Sequence, residues 1–496
     1  MKTNLRIRAF TTYNLIALKN VLKMWVLAFM LWAISSASFA QNTNNKDQEN
    51  LIATSQSGAS PLFFYPGDPG LVPFHISDFS NSNEFSVRDG LPNFFSKLKL
   101  KKDVTIGYLG GSITRSNNMY RVQSLRFIQG LDPDVKITGI NAGISGTGAD
   151  LGACRLYDQL LQYNPDLVFV EFAVNRAFAK GVEGIIRQIW QYNPKIDICL
   201  IYTVSDGQAQ IYADGGIPQN IRNLDLLAEH YAIPSVHMGI QAGFLEKQGK
   251  LVFKGNKEVV KDKIVFSADG IHPTEAGGNL YAEAIARAML KMKAESTSRA
   301  HVLPNPLLAD NWEDARMLDP LKCASFDDNW EKINPAFNQS LKQYTDWFPY
   351  VMKAKKPGSS FSFQFEGSMF GLFDIGGPEV GQIEIEVDGQ PLSLKQLSME
   401  NFVQTNDTSS IKTVDRFNQY CNNRYRGQCA FIKVCPGKHK VKISISKEIP
   451  DKGKILGLNQ QADIVEYPKK YNQTVVYLGK ILIRGKLSPL NEILIN

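Results

Sequence analysis

The stretch VTIGYLGGS, residues 104–112, decides the fold of this chain. Its first six residues form a short apolar run that predicts a buried β-strand, and two glycines follow at once. A hydroxyl at the carboxyl end of a parallel strand lies where open α/β sheets bind their ligands. Ser112 is therefore a candidate nucleophile, provided that other segments supply the groups that make a serine reactive.

The region around this stretch alternates between apolar strands and amphipathic helices. We predict strands at 104–109, 135–140, 167–172 and 196–204, and helices at 119–129, 150–163, 182–191, 217–231 and 282–293. Continuous apolar strands separated by amphipathic helices indicate a parallel sheet covered on both faces. Residues 61–295, which begin with an irregular segment, are thus predicted to form a doubly wound α/β domain.

The second half of the chain has a different pattern. Residues 296–355 are rich in proline and tryptophan and are predicted to be an ordered connector. Six strands are then predicted at 359–365, 371–375, 382–387, 430–434, 438–446 and 475–483, with turns at Asp388-Gly389 and Pro436-Gly437. No helical period of any length intervenes. We therefore predict that residues 356–496 form an antiparallel β-sandwich.

The first 40 residues have the features of an export signal. They contain five Lys or Arg and no Asp or Glu, then an apolar run at 24–34 and a small-residue cleavage site at Ala37-Ser38-Phe39-Ala40. We expect the mature chain to begin near Gln41, with a flexible leader at 41–60, and to be periplasmic or secreted. A retained, uncleaved anchor is the alternative. No later stretch is long and apolar enough to predict stable membrane insertion.

Charge and cysteine content narrow the classes of function. The net charge of +7 falls to about +2 without the five basic residues of the signal, too little to indicate a nucleic-acid or anionic-membrane partner. Of the six cysteines, Cys154 and Cys199 are predicted to be buried thiols, whereas Cys421, Cys429 and Cys435 are close enough in sequence for one local disulfide. No spacing of Cys and His predicts a metal site, and no cofactor is expected. The oligomeric state stays open.

Three further loops bring groups that a reactive serine needs. A glycine-rich turn, residues 141–148, follows the second strand, and its backbone N–H groups can approach a developing oxyanion closely. Asn175 follows the third strand, where its amide can aim at the same oxygen. Asp269 and His272 lie three residues apart in one loop, so that the carboxylate could hold the imidazole in one tautomer. A serine hydroxyl needs such a base and such donors because it is too weakly acidic to attack an ester alone.

These four blocks, in this order, resemble those of the SGNH (GDSL-type) hydrolases over about residues 100–295. The resemblance implies a flavodoxin-like sheet, with Ser112 as nucleophile, His272 as general base and Asp269 as the residue that orients it. It also implies an oxyanion hole formed by the N–H groups of Ser112 and Gly146 and the side chain of Asn175.

Two positions depart from the common pattern of that family. Gly111 precedes the serine where many members have aspartate, and Arg176 follows Asn175 where a carboxylate is usual. Both residues are candidates for substrate binding. Arg176 would either recognise an anionic substrate group or be a paired, structural side chain.

The function predicted from the sequence is that of an exported serine esterase that removes acyl groups, most plausibly acetyl, from a polysaccharide or oligosaccharide through an acyl-enzyme. One alternative is a lipid or thioester acylhydrolase of the same fold. Another is a glycan-binding protein whose catalytic site is vestigial. Trp347, Tyr420 and Tyr425 could stack on sugar rings or belong to the core.

Overall fold

A seven-stranded sheet forms the first part of the structure. The computed structural model describes residues 62–67, 72–117, 119–293 and 297–488, so the predicted signal and leader lie outside the described residues. Numbered along the chain, the strands of this sheet are β1 (Phe63–Phe64), β2 (Phe85–Ser86), β3 (Val104–Gly110), β4 (Ile137–Gly143), β5 (Leu167–Glu171), β6 (Asp197–Tyr202) and β7 (Ser235–His237).

The inner strands run parallel in the order β4-β3-β5-β6-β7, and β1 and β2 close the two edges in antiparallel pairing. The inner order 2-1-3-4-5 is that of flavodoxin-like sheets, which bind ligands beyond the carboxyl ends of their strands. All residues of β5 and β6 are buried, as expected where helices cover both faces. The mostly parallel α/β sheet predicted from the sequence is confirmed.

The helices of this part cover the sheet or carry its loops. They are α1 (Pro92–Lys99), α2 (Ser112–Arg115), α3 (Tyr120–Leu131), α4 (Ala149–Gln159), α5 (Ala179–Tyr192), α6 (Gln208–Ala213), α7 (Gln219–His230), α8 (Ile240–Lys247) and α9 (Glu275–Met292). The helix predicted at 150–163 is shorter than expected: α4 ends at Gln159, a short 3-10 turn follows, and Asn164 ends that turn in the left-handed conformation. A parallel pair, β8 (Leu251–Lys254) and β9 (Ile264–Ser267), precedes α9.

A second sheet contains twelve strands, all but one pair of them antiparallel. They are β10 (Ala315–Leu318), β11 (Ala324–Phe326), β12 (Glu331–Ile333), β13 (Val351–Ala354), β14 (Ser360–Gly376), β15 (Gln382–Val387), β16 (Gln390–Pro391), β17 (Leu394–Gln396), β18 (Asn401–Gln404), β19 (Thr413–Asp415), β20 (Arg426–Ile445) and β21 (Val476–Leu487). Four of these strands lie within residues 296–355, the predicted connector. The domain boundaries themselves stay a prediction.

The structure corrects three details of the predicted sandwich. Its strands form one hydrogen-bonded sheet because β14 and β20 are each continuous where two strands were predicted. Pro436-Gly437 is therefore no hairpin turn: β20 continues through it, and the pairing with β14 shifts register between Gly367 and Met369, as expected where a proline cannot donate to the ladder. Three short helices, α11 (Lys452–Leu456), α12 (Ala462–Glu466) and α13 (Pro468–Tyr471), also interrupt the strands; α10 (Pro320–Cys323) lies earlier.

One continuous apolar core joins the two sheets. It includes strand and helix residues of the first sheet together with Phe373, Phe431 and Leu482 of the second. Trp312 lies at this junction, with its ring 5.5 Å from Phe178 and 5.1 Å from Phe431. Each fully buried large apolar side chain contributes roughly 1.5 to 3 kcal/mol, so this junction holds the second sheet firmly against the first.

All six cysteines are unpaired, so the local disulfide predicted among Cys421, Cys429 and Cys435 is wrong for this structure. Cys435 is exposed, whereas Cys421 and Cys429 are buried. Cys154 and Cys199 are buried thiols, as predicted. Within the described ranges, we find no helix that has both the length and the apolar character to cross a bilayer.

Candidate active site

Ser112 begins helix α2 directly after the buried strand β3. The strand ends at Gly110, and a Cβ at that position would lie 2.1 Å from Oγ1 of Thr114, so the chain can turn this tightly only with glycine there. The turn directs the serine hydroxyl out of the sheet. Oγ of Ser112 lies 2.7 Å from Nε2 of His272.

His272 is held in the loop between β9 and α9. Its Nδ1 lies 2.6 Å from Oδ2 of Asp269. Because an ionised carboxylate can only accept, Nδ1 carries the ring proton and Nε2 is left to accept from the serine hydroxyl. The three side chains predicted to form a triad are therefore joined by two short hydrogen bonds, although 160 residues separate Ser112 from His272.

The carboxylate of Asp269 is itself fixed by its own loop. Its Oδ1 accepts from the backbone N–H groups of Ile271 (2.9 Å) and His272 (2.8 Å) and from the hydroxyl of Ser267 (3.0 Å). Burial alone would raise the pKa of Asp269, but the hydrogen bonds from the His272 ring and from these backbone groups outweigh it, and its pKa lies well below the usual range. The carboxylate is thus ionised, as an orienting partner of the imidazole must be.

The glycine-rich turn after β4 lies against the nucleophile turn. Ile144 donates its N–H to the carbonyl of Gly110 (3.1 Å), and Nη1 of Arg115 lies 3.4 Å from Oγ of Ser145. Gly146 has φ +72°, a left-handed conformation that favours glycine. This turn therefore lies against the end of the strand that leads to Ser112, and Gly146 holds a conformation that a residue with a side chain would adopt only with strain.

Asn175 packs directly against Gly111. A Cβ on residue 111 would lie 2.3 Å from Oδ1 of Asn175. Gly111 thus makes room for the amide beside Ser112. Oδ1 of Asn175 is buried and accepts no hydrogen bond from any described residue, and unsatisfied buried polar atoms of this kind are rare outside functional sites.

A buried carboxylate that the sequence analysis did not select lies beneath the nucleophile. Glu171 ends β5 and is fully buried. It accepts from Oγ1 of Thr203 (2.6 Å) and Oγ1 of Thr114 (2.9 Å), and from the backbone N–H of Gly111. Burial raises its pKa. The signal in the sequence was a charged residue within an apolar strand, which indicates a buried polar network.

Arg176 is an ion-paired residue. Its Nη2 lies 3.0 Å from Oδ2 of Asp150 and 2.9 Å from Oε2 of Glu400. Burial alone would lower the pKa of Arg176, but the two carboxylates outweigh it and raise the pKa above its ordinary value. Of the two roles left open by the sequence, this arrangement corresponds to the paired, structural side chain.

The arrangement provides a hydroxyl, a base aligned by an ionised carboxylate, and nearby amide donors. These are the groups required for nucleophilic attack on an ester carbonyl. In the ranges that the structure covers, no group of three or more His, Cys, Asp and Glu side chains is placed to hold a metal ion.

Comparison with known proteins gives likenesses among solved structures. No family model matches the chain, and no curated protein matches it. A two-domain esterase active on acetylated mannans, crystallised with mannopentaose, is 21% identical with a TM-score of 0.58, over 80% of this chain and 94% of that one. A second structure of a two-domain esterase active on acetylated mannans, without mannopentaose, is 20% identical with a TM-score of 0.55, over 80% of this chain and 96% of that one.

An acetylxylan esterase from Geobacillus stearothermophilus aligns with a smaller part of the chain, 38% of this protein and 94% of that one, at 20% identity and a TM-score of 0.30. The first two likenesses extend over both sheets and show the fold. The resemblance predicted from the sequence is thereby confirmed at the level of the fold: the similar structures are carbohydrate esterases, two of them with two domains.

Proposed function

We propose that this protein is an exported serine esterase of the SGNH type that removes acetyl groups from a polysaccharide or oligosaccharide. The observation that carries the proposal is the pair of hydrogen bonds that links Ser112, His272 and Asp269. The structures with this fold include an esterase that acts on acetylated mannans, which favours a glycan ester as substrate. The predicted signal at residues 1–40 supports export.

In the proposed reaction, Oγ of Ser112 attacks the acetyl carbonyl while Nε2 of His272 takes its proton. The negative charge that develops on the carbonyl oxygen is held by the N–H groups of Ser112 and Gly146 and by the amide of Asn175. His272 then gives the proton to the departing sugar oxygen, which leaves an acetyl-serine. Water, deprotonated by the same imidazole, attacks this ester. Acetate is released, and the free hydroxyl of Ser112 is regenerated.

The test measures acetate released from acetylated mannan and xylan oligosaccharides by the wild type and by Ser112→Ala. We expect the variant to lose at least about 1,000-fold in kcat/KM, because Oγ of Ser112 is the hydroxyl that is hydrogen-bonded to Nε2 of His272. Ser116→Ala is the matched control: Ser116 follows the same helix α2, and its backbone N–H bonds to the carbonyl of Ser112. Equal rates for wild type and Ser112→Ala would refute the proposal.

A fluorophosphonate probe separates the enzyme from a vestigial glycan-binding protein. An activated Ser112 should be labelled in the wild type and unlabelled in His272→Ala, because the hydroxyl then lacks its base. Absence of labelling in the folded wild type, together with absence of acetate release, would leave only the binding alternative. Nitrophenyl esters of increasing chain length test the lipid alternative, for which rates should rise with chain length.

A further inference from the structure

Arg426, the first residue of β20, is a nearly buried cation without a counter-ion. Only 6% of its surface is exposed. Its Nε is buried without a hydrogen-bond partner, and its guanidinium forms no ion pair with any residue in the described part of the chain. The carbon at the centre of its guanidinium lies 4.8 Å from the centre of the Tyr420 ring, and the carboxylate of Glu400, although not ion-paired with it, is near enough to interact with its charge. A buried charge without a partner is costly, which indicates that Arg426 is kept for a ligand.

Arg426 is also next to the proposed catalytic machinery. Its Nη2 lies 3.4 Å from the position that a Cβ on Gly146 would take. Gly146 belongs to the turn that is hydrogen-bonded to the strand end before Ser112. The second sheet thus places a guanidinium beside the loop that is proposed to bind the oxyanion.

The same guanidinium lines a cavity of about 540 Å³ on the second sheet, a size typical of ligand sites. Its walls are formed by residues 396–400 and 415–419, by Arg426, Gln428 and Cys429, and by Ile455. Gln396 and Ser398 offer an amide and a hydroxyl of the kind that bond to sugar hydroxyls, whereas the amides of Asn418 and Gln428 are hydrogen-bonded to each other. The cavity therefore adjoins the proposed catalytic loop through Arg426, and part of its lining suits a polar, sugar-like ligand.

The other charged groups of this cavity have partners. Glu400 pairs with Arg176, and Arg416 pairs with both carboxylate oxygens of Asp374, at 2.6 and 3.0 Å. Asp415 has the side chain of Gln382 and the charge of Arg416 near it; burial raises its pKa, and these two neighbours oppose the rise. Of the two arginines that line this cavity, Arg426 is therefore the one without an ion pair among the described residues. Neutral sugar hydroxyls could accept hydrogen bonds from it but would leave its charge uncompensated, whereas a carboxylate matches the planar guanidinium in both charge and shape.

We propose that Arg426 binds the carboxylate of a uronic acid residue adjacent to the acetylated sugar, so that the substrate class is an acetylated acidic polysaccharide. Calling this ligand a substrate rests on the proposed esterase function, whereas its binding to Arg426 does not depend on catalysis. Arg426 would act in substrate recognition, from a strand more than 300 positions beyond Ser112 in the sequence.

Binding is measured first without turnover, in Ser112→Ala, by calorimetry with trigalacturonate and with its carboxyl-reduced form, galactotriose. We expect trigalacturonate to bind at least about tenfold more tightly, the usual magnitude for a charge-assisted hydrogen bond. In the Ser112→Ala background, Arg426→Gln should remove this preference. Arg426→Lys should retain part of it, because lysine keeps the positive charge but lacks the paired N–H donors of the guanidinium. Lys440→Gln, which removes an exposed charge elsewhere on β20, should leave it unchanged.

Turnover of the acetylated forms of both oligosaccharides gives the second arm. The ratio of kcat/KM for the acidic over the neutral form should fall about tenfold in Arg426→Gln. Equal affinity of Ser112→Ala for the two probes overturns the inference whatever the variants do, as does a preference that Arg426→Gln leaves intact. A protein that prefers trigalacturonate but releases no acetate from either substrate would overturn the esterase proposal alone.

Discussion

Arg176 and Glu400 form an ion pair of 2.9 Å between the loop that carries Asn175 and the second sheet. This loop needs support, because Arg176 (φ +69°) and Ala177 (φ +45°) are both left-handed without being glycine. Such conformations cost about 1 to 3 kcal/mol each and persist only where the surroundings hold them. The second sheet therefore helps to hold the amide of Asn175 beside the candidate nucleophile.

Replacing Arg176 by alanine should destabilise the fold and reduce activity together. The change leaves the buried carboxylates of Asp150 and Glu400 without their cation. We expect a loss of about 1 to 2 kcal/mol in the free energy of unfolding, below the value for a fully buried pair because the Arg176 side chain is 42% exposed. Urea denaturation measures the stability, and kcat on an acetylated glycan measures the displacement of Asn175.

The matched control for this change is Lys180→Ala, which removes a cation from an exposed pair with Asp310 at 3.6 Å. Exposed pairs contribute little, so its effect should stay below about 0.5 kcal/mol. Equal destabilisation by Arg176→Ala and Lys180→Ala would show that Arg176 does not hold the loop.

Glu171→Gln should slow catalysis because it displaces the turn that carries Ser112. The glutamine amide keeps the volume but has one acceptor oxygen, whereas the carboxylate has two and accepts hydrogen bonds from the hydroxyls of Thr114 and Thr203 and from the N–H of Gly111. We expect a loss of about 1 to 3 kcal/mol in stability and a fall in kcat of about tenfold or more. KM should change little, since the substrate does not contact this buried residue.

Glu183→Gln separates the positioning effect from a general loss of stability. Glu183 is equally buried and accepts from the hydroxyl of Tyr231 and from the backbone N–H groups of Leu307 and Leu308, on the far side of α5. It should cost similar stability and leave kcat intact. If both variants lower kcat equally, the effect of Glu171 is not positional.

Gly146→Ala should impair the proposed oxyanion turn. At φ +72° an alanine costs about 1 to 2 kcal/mol, and its Cβ would also contact Arg426. Relief of that strain would rotate the backbone N–H away from the oxyanion, and loss of one such donor typically costs 100 to 1,000-fold in kcat (about 3 to 4 kcal/mol). Steady-state kinetics on an acetylated oligosaccharide measure this loss.

Gly389→Ala provides the comparison, because Gly389 has φ +78°, open space around its Cβ position and a place in the turn between β15 and β16. Its stability should fall by a similar amount while kcat is preserved. A normal kcat in Gly146→Ala would remove Gly146 from the oxyanion hole.

The parallel sheet and its candidate catalytic loops were predictable because local signals mark them. Long apolar runs fixed β3, β5 and β6, and the residues after β3, β4 and β5 follow from the rule that ligands bind at strand ends. Asp269 and His272 lie in one loop, so their spacing already allowed a contact. By contrast, β7 has only three residues, too few for a periodic signal.

The contributions of the second sheet could not be predicted in the same way. Glu400 and Arg426 reach the candidate site through long-range packing, and no local pattern distinguishes them from other charged residues of β-rich segments. The continuity of β20 through Pro436 also depends on its partner β14, because a register shift opposite the proline absorbs the missing donor. Propensity alone favours a turn there.

Asp269→Asn should reverse the tautomer of His272. Oδ1 of Asp269 already holds the N–H groups of Ile271 and His272, so an asparagine would keep its oxygen there and turn its NH₂ toward Nδ1 of the ring. The ring proton would then move to Nε2, which could no longer accept from Ser112. We expect kcat to fall by about 1,000 to 10,000-fold at every pH, without recovery at alkaline pH.

The stability effect of the same change should depend on pH. The pKa of Asp269 is depressed in the folded state, so the stabilisation it gives is present above its unfolded pKa, about 3.9, and is lost as pH falls through the folded value. The difference in Tm between wild type and Asp269→Asn should therefore be constant from about pH 5 to 8 and shrink below about pH 4. Asp206→Asn, an exposed carboxylate beside Gly270, controls for loss of charge near the loop. A difference in Tm that persists undiminished to the lowest pH would mean that the asparagine acts through packing, since the ionised carboxylate would then have contributed nothing.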